Sequence, residues 1–307
     1  MSQSALPEPT ALPEPTTDPS PIFEQLRGSF GTELLVASVV EFQLFDSLAE
    51  QARTWAELRA ELGLAERAAH VLITALRAMG LLVVDGQNRL NLSPLAAEHL
   101  VSTAPLAVND YLRLSAAAPG VVAMIERLRS NRPAAAQAND DATAWIAKPG
   151  QRSAMDQADL ARHFTLALAG RAKNVAPLLA QRVALDGVRR LVDLGGGTGI
   201  YSIALVKSHP QLRAVVVDRA EVLQVAQEFV ARYGVEDRVV LHEGDMFDCP
   251  LPSDADAILL SNILHDWDTL DCQRLIARCA AALPPGGQLL IHDAFLNDAL
   301  DGPLPLA

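Results

Sequence analysis

The sequence predicts an α/β protein in which a parallel sheet, covered by helices on both faces, follows a mainly helical N-terminal domain. Three observations predict it. From Val188 onward, short apolar runs alternate with helical segments, the pattern of strands buried on both faces and joined by crossover helices. A glycine-rich loop, Asp193-Leu194-Gly195-Gly196-Gly197-Thr198-Gly199, separates the first of those runs from its helix. Residues 54–93 read helix, helix, hairpin, the order of a winged helix-turn-helix.

At 307 residues the chain is long enough for two domains with separate cores. Its net charge of −12 argues against a phosphate-neutralising surface, and so against nucleic acid as a partner. The three cysteines, Cys249, Cys272 and Cys279, contain no CxxC pair, which points to neither a disulfide framework nor a zinc site. Cys272 and Cys279 stand seven apart in a predicted helix and are expected on its inward side. No apolar run reaches the ~18–20 residues that cross a bilayer, and the start lacks the basic and apolar segments of a signal peptide. A cytoplasmic protein with no membrane partner is therefore expected.

Residues 1–20 repeat ALPEPT and are too poor in apolar surface to offset ordering, so a disordered tail is expected. A domain over 21–104 follows. FEQLRGSFGTELLVASVVEFQLFDSLAE carries one broad apolar stripe at helical spacing. Thr54-Trp55-Ala56-Glu57 has the form of a capping box, opening a helix that stops near Gly63. AERAAHVLITALRAMG predicts a second helix ending at Gly80, and LLVV, Asp85-Gly86-Gln87-Asn88 and RLNLS a hairpin. That second helix offers Arg67 and Arg77 around a Val-Leu-Ile centre, whereas a recognition helix needs polar side chains that reach bases and phosphates. Packing or dimerisation is the expected role. Residues 105–182 read as a helical connector and pocket wall, interrupted at Pro119-Gly120 and by a surface excursion over 133–149.

Over 183–307 the predicted strands are RRLVDL, RAVVVD, RVVLHEGD, ADAILLSNIL and GGQLLIHDAFL, with helices between them. The loop from Asp193 to Gly199 lies where the first strand gives way to its helix, the place where such sheets bind ligands. A dinucleotide fingerprint started at Gly195 needs glycine at position 200, which is Ile200, so a nicotinamide enzyme is disfavoured. The spacing is instead acid-x-Gly-x-Gly-x-Gly through Asp193, Gly195, Gly197 and Gly199. Asp218 ends the second strand and can accept two ribose hydroxyls. Gly244-Asp245-Met246-Phe247 ends the third, offering a carboxylate and apolar surface to an adenine. His265 follows the fourth, on the edge where a cofactor lies, and Asp268 reads as the N-cap of the next helix.

In this order and spacing, VDLGGGTG, VVVD, GDMF, LHDWD and PPGGQLLIHD resemble the class I, S-adenosylmethionine-dependent O-methyltransferases of the caffeate and acetylserotonin type. The resemblance covers nearly the whole chain after the tail. It implies a Rossmann-like catalytic sheet, an N-terminal winged-helix dimerisation domain and thus a homodimer. It also implies S-adenosylmethionine as co-substrate, a small aromatic or polyketide hydroxyl acceptor and no metal. By the same resemblance His265 is the general base and Asp293 its orienting acid, where plant members commonly have Glu. Asp193, Gly195, Gly197, Gly199, Asp218, Asp245, Met246 and Phe247 would hold the cofactor. Ser261 stands where plant members place a cofactor-holding lysine. His163, Phe164, Leu168 and Asp266 fall in the stretches expected to meet the acceptor.

The implied chemistry is proton removal from a phenol of pKa near ~10 by an imidazole of unperturbed pKa ~6.5, as the methyl transfers. The chain ends just beyond the fifth strand, where members of this class add another helix, two strands and a second acid. An incomplete catalytic domain is therefore expected. Two other readings stay open: a non-catalytic winged-helix dimer that binds a small molecule or cofactor in a regulatory role, and altered chemistry on the same cofactor.

Overall fold

The computed structural model describes residues 12–17, 19, 22, 30–131 and 157–303. Most of the Pro-rich tail, residues 23–29 of the first apolar stripe, the 133–149 excursion and the closing residues 304–307 lie outside the described residues. The chain divides into two compact units, Ser20–Ala142 with Phe295–Ala307, and Met1–Pro19 with Thr143–Ala294.

In the first unit the described part of the expected single stripe forms two helices, α1 (Gly31–Val40) and α2 (Leu44–Glu50). The break falls where Gln43 takes a left-handed backbone at φ 47°, turning the chain so that Phe42 and Phe45 both reach the core. Apolar spacing continues across the break, so periodicity alone does not reveal it. Helix α3 (Trp55–Leu62) opens on the predicted capping box. Thr54 N–H donates to Glu57 Oε2 at 2.8 Å, Glu57 N–H donates to Thr54 Oγ1 at 3.3 Å, and Gly63 ends the helix. Helix α4 (Glu66–Ala78) buries Ala69, Leu72, Ile73 and Leu76, so its apolar centre is spent on packing. Strands β1 (Leu82–Val84) and β2 (Leu90–Leu92) form the predicted antiparallel hairpin. Asp85 accepts the N–H groups of Gln87 and Arg89 across its turn.

Helices α5 (Pro94–His99), α6 (Asn109–Arg113) and α7 (Pro119–Ser130) complete this unit. Pro119 opens α7 in the first turn, where its missing N–H leaves no bond unmade.

In the second unit the first described helix is α8 (Ala158–Arg182), so the 105–182 stretch is shared between the two units. Strands β3 (Arg190–Leu194), β4 (Arg213–Asp218), β5 (Val239–Glu243), β6 (Ala257–Ser261) and β7 (Gln288–His292) pair in parallel in the order β5-β4-β3-β6-β7. Helices α9 (Ile200–Ser208), α10 (Ala220–Arg232) and α11 (Thr269–Ala282) connect them. Strand order reverses at β3, which has β4 on one side and β6 on the other; the crevice beyond their carboxyl ends is the ligand-binding position of such sheets.

Asp268 caps α11 by accepting Asp271 N–H at 3.0 Å. Cys279 is fully buried on that helix and its thiol is pushed up to about 11 by burial; Cys272 is half-buried, and all three cysteines are free. Among the described residues, no helix is long and apolar enough to cross a membrane, and no group of three or more His, Cys, Asp or Glu side chains could hold a metal ion.

Candidate active site

The glycine loop follows β3 directly, and its conformation calls for glycine for two different reasons. Gly195 has φ 73°, and a Cβ on it would meet Ile263 Cδ1 at 2.6 Å. At Gly196 a Cβ would meet Asp193 Cγ at 2.7 Å and Val216 Cγ1 at 2.9 Å. Asp193 thus lies beneath the loop. It is fully buried, accepts Ser202 Oγ–H at 2.7 Å, and is pushed up to about 6 by desolvation. Its Oδ1 has no partner among the described residues. Asp218, at the end of β4, accepts Gly197 N–H at 2.9 Å and Arg219 N–H at 2.8 Å. Burial raises its carboxyl, and these two bonds oppose the rise.

Past the β6 terminus the chain makes a 3-10 turn, Leu264–Asp266, so His265 stands on this turn rather than on the strand itself. Asp293, just beyond β7, grips the turn. Its Oδ1 accepts His265 Nδ1–H at 2.6 Å, and its Oδ2 accepts Leu264 N–H at 3.1 Å and His265 N–H at 3.4 Å. Burial works against ionisation of Asp293, but the hydrogen bonds from His265 and Ala294 hold its carboxyl below the ordinary value. With Nδ1 occupied, Nε2 is left on the side of Asp266, 3.4 Å from its Oδ1, and both residues line the cavity described below. The Asp266 carboxyl is raised, chiefly by burial.

Beside the base lies a polar group of which the sequence reading named only Ser261. Ser261 Oγ and His292 Nδ1 are 2.8 Å apart, Asn262 Nδ2–H donates to Ser261 Oγ at 3.2 Å, and Asn262 Oδ1 accepts from Arg171 at 3.3 Å. Asn262 holds a left-handed backbone at φ 55°, and its Nδ2 reaches Tyr201 Oη at 3.4 Å.

Loop, turn and polar group surround one cavity of about 290 Å³. Of the residues expected at the site, Gly195, Gly197, Asp218, Met246, Ser261, His265, Asp266, Phe164 and Leu168 line it. Asp293 reaches it through His265. Gly199 caps α9 behind the loop, Asp245 is turned away to accept Phe247 N–H, and Phe247 is buried against Trp267 with ring centroids 4.6 Å apart. His163 is exposed on α8, one residue and so about 100° of helical turn from Phe164. The lining residues not foreseen include Thr165, Arg171, Tyr201, Asn262 and Trp267. Arg171 was findable, about one turn of helix beyond Leu168 and about two beyond Phe164. Tyr201 and Asn262 carry no motif, and only the sheet brings them together.

The switch-point loop and an acid-held histidine over one cavity fit a cofactor-dependent transferase. A model of the O-methyltransferase domain family matches residues 149–305. The chain is 35% identical over 283 residues to 3-hydroxy-5-methyl-1-naphthoate 3-O-methyltransferase of Streptomyces sahachiroi, covering 91% of this chain and 78% of that protein. It is 30% identical over 281 residues to N,N-dimethyltransferase OxyT of Streptomyces rimosus, covering 90% of this chain and 78% of that protein. Its fold matches an O-methyltransferase family 2 protein from Planctomyces limnophilus DSM 3776, solved in complex with apigenin. The TM-score is 0.83 at 44% identity, over 96% of this chain and 83% of that one. The chain belongs to the O-methyltransferase family: it is an enzyme that uses S-adenosylmethionine to methylate a small acceptor.

Proposed function

We propose that the acceptor is an aromatic or polyketide hydroxyl and that His265 removes its proton as the methyl group is transferred. The observation that carries this reading is the 2.6 Å bond from His265 Nδ1–H to Asp293, which leaves Nε2 as the acceptor facing the cavity. A histidine held in that tautomer is a general base. As it gains a proton, the imidazolium has Asp293 on one nitrogen and Asp266 on the other, so the charge forms between two carboxylates.

The residues present fit S-adenosylmethionine. The loop from Gly195 to Gly197 allows close backbone approach, Asp218 would accept the ribose hydroxyls, and Met246 with Trp267 would give apolar surface to the adenine. Arg171 would supply a cation for the amino-acid carboxylate. When bound, this molecule supplies an activated methyl on a sulfonium; the protein supplies orientation and the base. Asp193 and Phe247 act from behind the lining, the first shaping the loop and the second backing Trp267.

Phe164 and Leu168 give the acceptor end an apolar wall, in keeping with the naphthoate acceptor named for one relative and the apigenin bound to another. We also take the first unit to be a dimerisation module of a cytoplasmic homodimer; light scattering that returns the mass of a single chain contradicts this. The test of the base is His265→Ala. Turnover of a phenolic acceptor should fall by about 10²–10⁴-fold while S-adenosylmethionine binding by calorimetry stays within about twofold. Turnover near the parent rate would remove His265 from the mechanism. Including an amine acceptor in the screen tests whether oxygen, rather than nitrogen as in OxyT, receives the methyl.

A further inference from the structure

The geometry points to His292 as a positioning residue that sets whether Ser261 presents a hydrogen-bond acceptor or a donor to the cofactor end of the cavity. The inference rests on the cofactor reading above. His292 does not line the cavity itself; Ser261, Asn262 and Tyr201 do. It touches all three. Its Nδ1 lies 2.8 Å from Ser261 Oγ, its carbonyl accepts Asn262 N–H at 2.7 Å, and its ring meets Tyr201 edge-on with centroids 5.2 Å apart. The next residue, Asp293, holds the base. Two consecutive residues at the end of β7 therefore serve the two ends of one cavity.

Ser261 has one hydroxyl proton and two lone pairs; Asn262 Nδ2–H occupies one lone pair, and the Tyr201 hydroxyl competes with the cavity for the other. A neutral His292 with a bare Nδ1 takes the hydroxyl proton, which leaves the other Ser261 lone pair for the cavity. That arrangement receives the α-ammonium of S-adenosylmethionine, beside the Arg171 guanidinium that suits the carboxylate. Protonated His292 reverses the bond: Nδ1–H donates to Ser261, and the freed hydroxyl proton points into the cavity as a donor. The ammonium then loses its acceptor and meets an added positive charge.

The groups around the ring favour the neutral form in sum. It is half-buried, and Arg171 from α8 opposes protonation while Asp293, the next residue beyond β7, favours it; Tyr201 from α9 and Ser261 from β6 are uncharged. The switch therefore operates below the ordinary imidazole range of ~6.5.

The experiment measures S-adenosylmethionine affinity by calorimetry at pH 7 and pH 5, where the ligand ammonium remains protonated. The parent is the full chain carrying His265→Ala, so that the base does not titrate. His292→Phe and Ser261→Ala are added to it singly and together. Asp193 titrates in every variant, so the quantity read is the difference between them. The expected result is that the parent loses about fivefold more affinity on acidification than either added variant, the size of one hydrogen bond. The combined variant should be no weaker than the single ones, because both act on one bond. His292→Phe in the His265-intact enzyme should raise KM for S-adenosylmethionine and leave KM for the acceptor unchanged. An equal pH response in parent and variants, or additive losses, overturns the inference while leaving the cofactor reading intact. If His292→Phe does not fold, the Ser261→Ala response decides alone. A folded parent that does not bind S-adenosylmethionine at pH 7 overturns the cofactor reading itself.

Discussion

Asp293 accepts four donors at once: His265 Nδ1–H and Ala294 N–H on Oδ1, Leu264 N–H and His265 N–H on Oδ2. An amide in its place can accept on only one atom, so Asp293→Asn either strands the turn's N–H groups or turns the histidine to the wrong tautomer. We expect kcat to fall on the order of 10²–10⁴-fold with S-adenosylmethionine affinity unchanged; a kcat within threefold of the parent by steady-state assay contradicts the role. Asp193 gives a prediction about stability. Its folded carboxyl is raised to about 6, so the folded state holds this proton more tightly than the unfolded chain. The associated stability is present below ~4 and is lost as pH rises through 6. Asp193→Asn should remove that part of the pH dependence of chemical denaturation, leaving the variant relatively more stable at pH 8 than at pH 4. An unchanged profile would falsify the assignment. The sequence marked Asp193 through its spacing to the glycines, but not its place beneath them. Spacing fixes position along the chain, and burial depends on what the neighbouring strands put around it.

Among the elements, the loop and α8 separate two kinds of glycine. A Cβ at Gly196 has nowhere to go, since the Asp193 carboxylate and Val216 lie within 2.9 Å of it. Gly196→Ala should lower stability by about 1–3 kcal/mol and weaken cofactor binding, as overpacking does. Gly170 sits on the exposed side of α8 with nothing within 4 Å, so Gly170→Ala should raise stability by about 0.5–1 kcal/mol with activity retained. Paired thermal denaturation and cofactor titration check both, and equal effects at the two sites contradict the packing argument. The α3 capping box and the hairpin turn at Asp85 were legible because a few adjacent residues satisfy their own hydrogen bonds. The break between α1 and α2 was not, because apolar spacing runs on through Phe42 to Leu44. His163 shows the same limit, since a stretch matched by resemblance does not say which face of α8 meets the cavity.

For the whole molecule, a net charge of −12 surrounds a site that takes a cationic methyl donor. Affinity for S-adenosylmethionine should weaken between about 0.01 and 0.15 M salt, as the screening length shrinks from ~30 to ~8 Å. Affinity for the demethylated product, which lacks the sulfonium charge, should change less; equal salt responses by calorimetry contradict long-range attraction. The sequence by itself determined the alternation of strands and helices and the glycine loop at the first strand's end, and its resemblance to a family supplied the candidate pair His265 and Asp293. Those features are written in local periodicity, backbone demands and short motifs. Tertiary structure alone decided that β3 lies between β4 and β6, which places Gly195 against Ile263 and brings Arg171, Tyr201, Asn262 and His292 around Ser261. Those residues are up to 121 positions apart, from Arg171 to His292. Their meeting follows from strand order and register, which sum the packing of the whole sheet and leave no signature at any one residue.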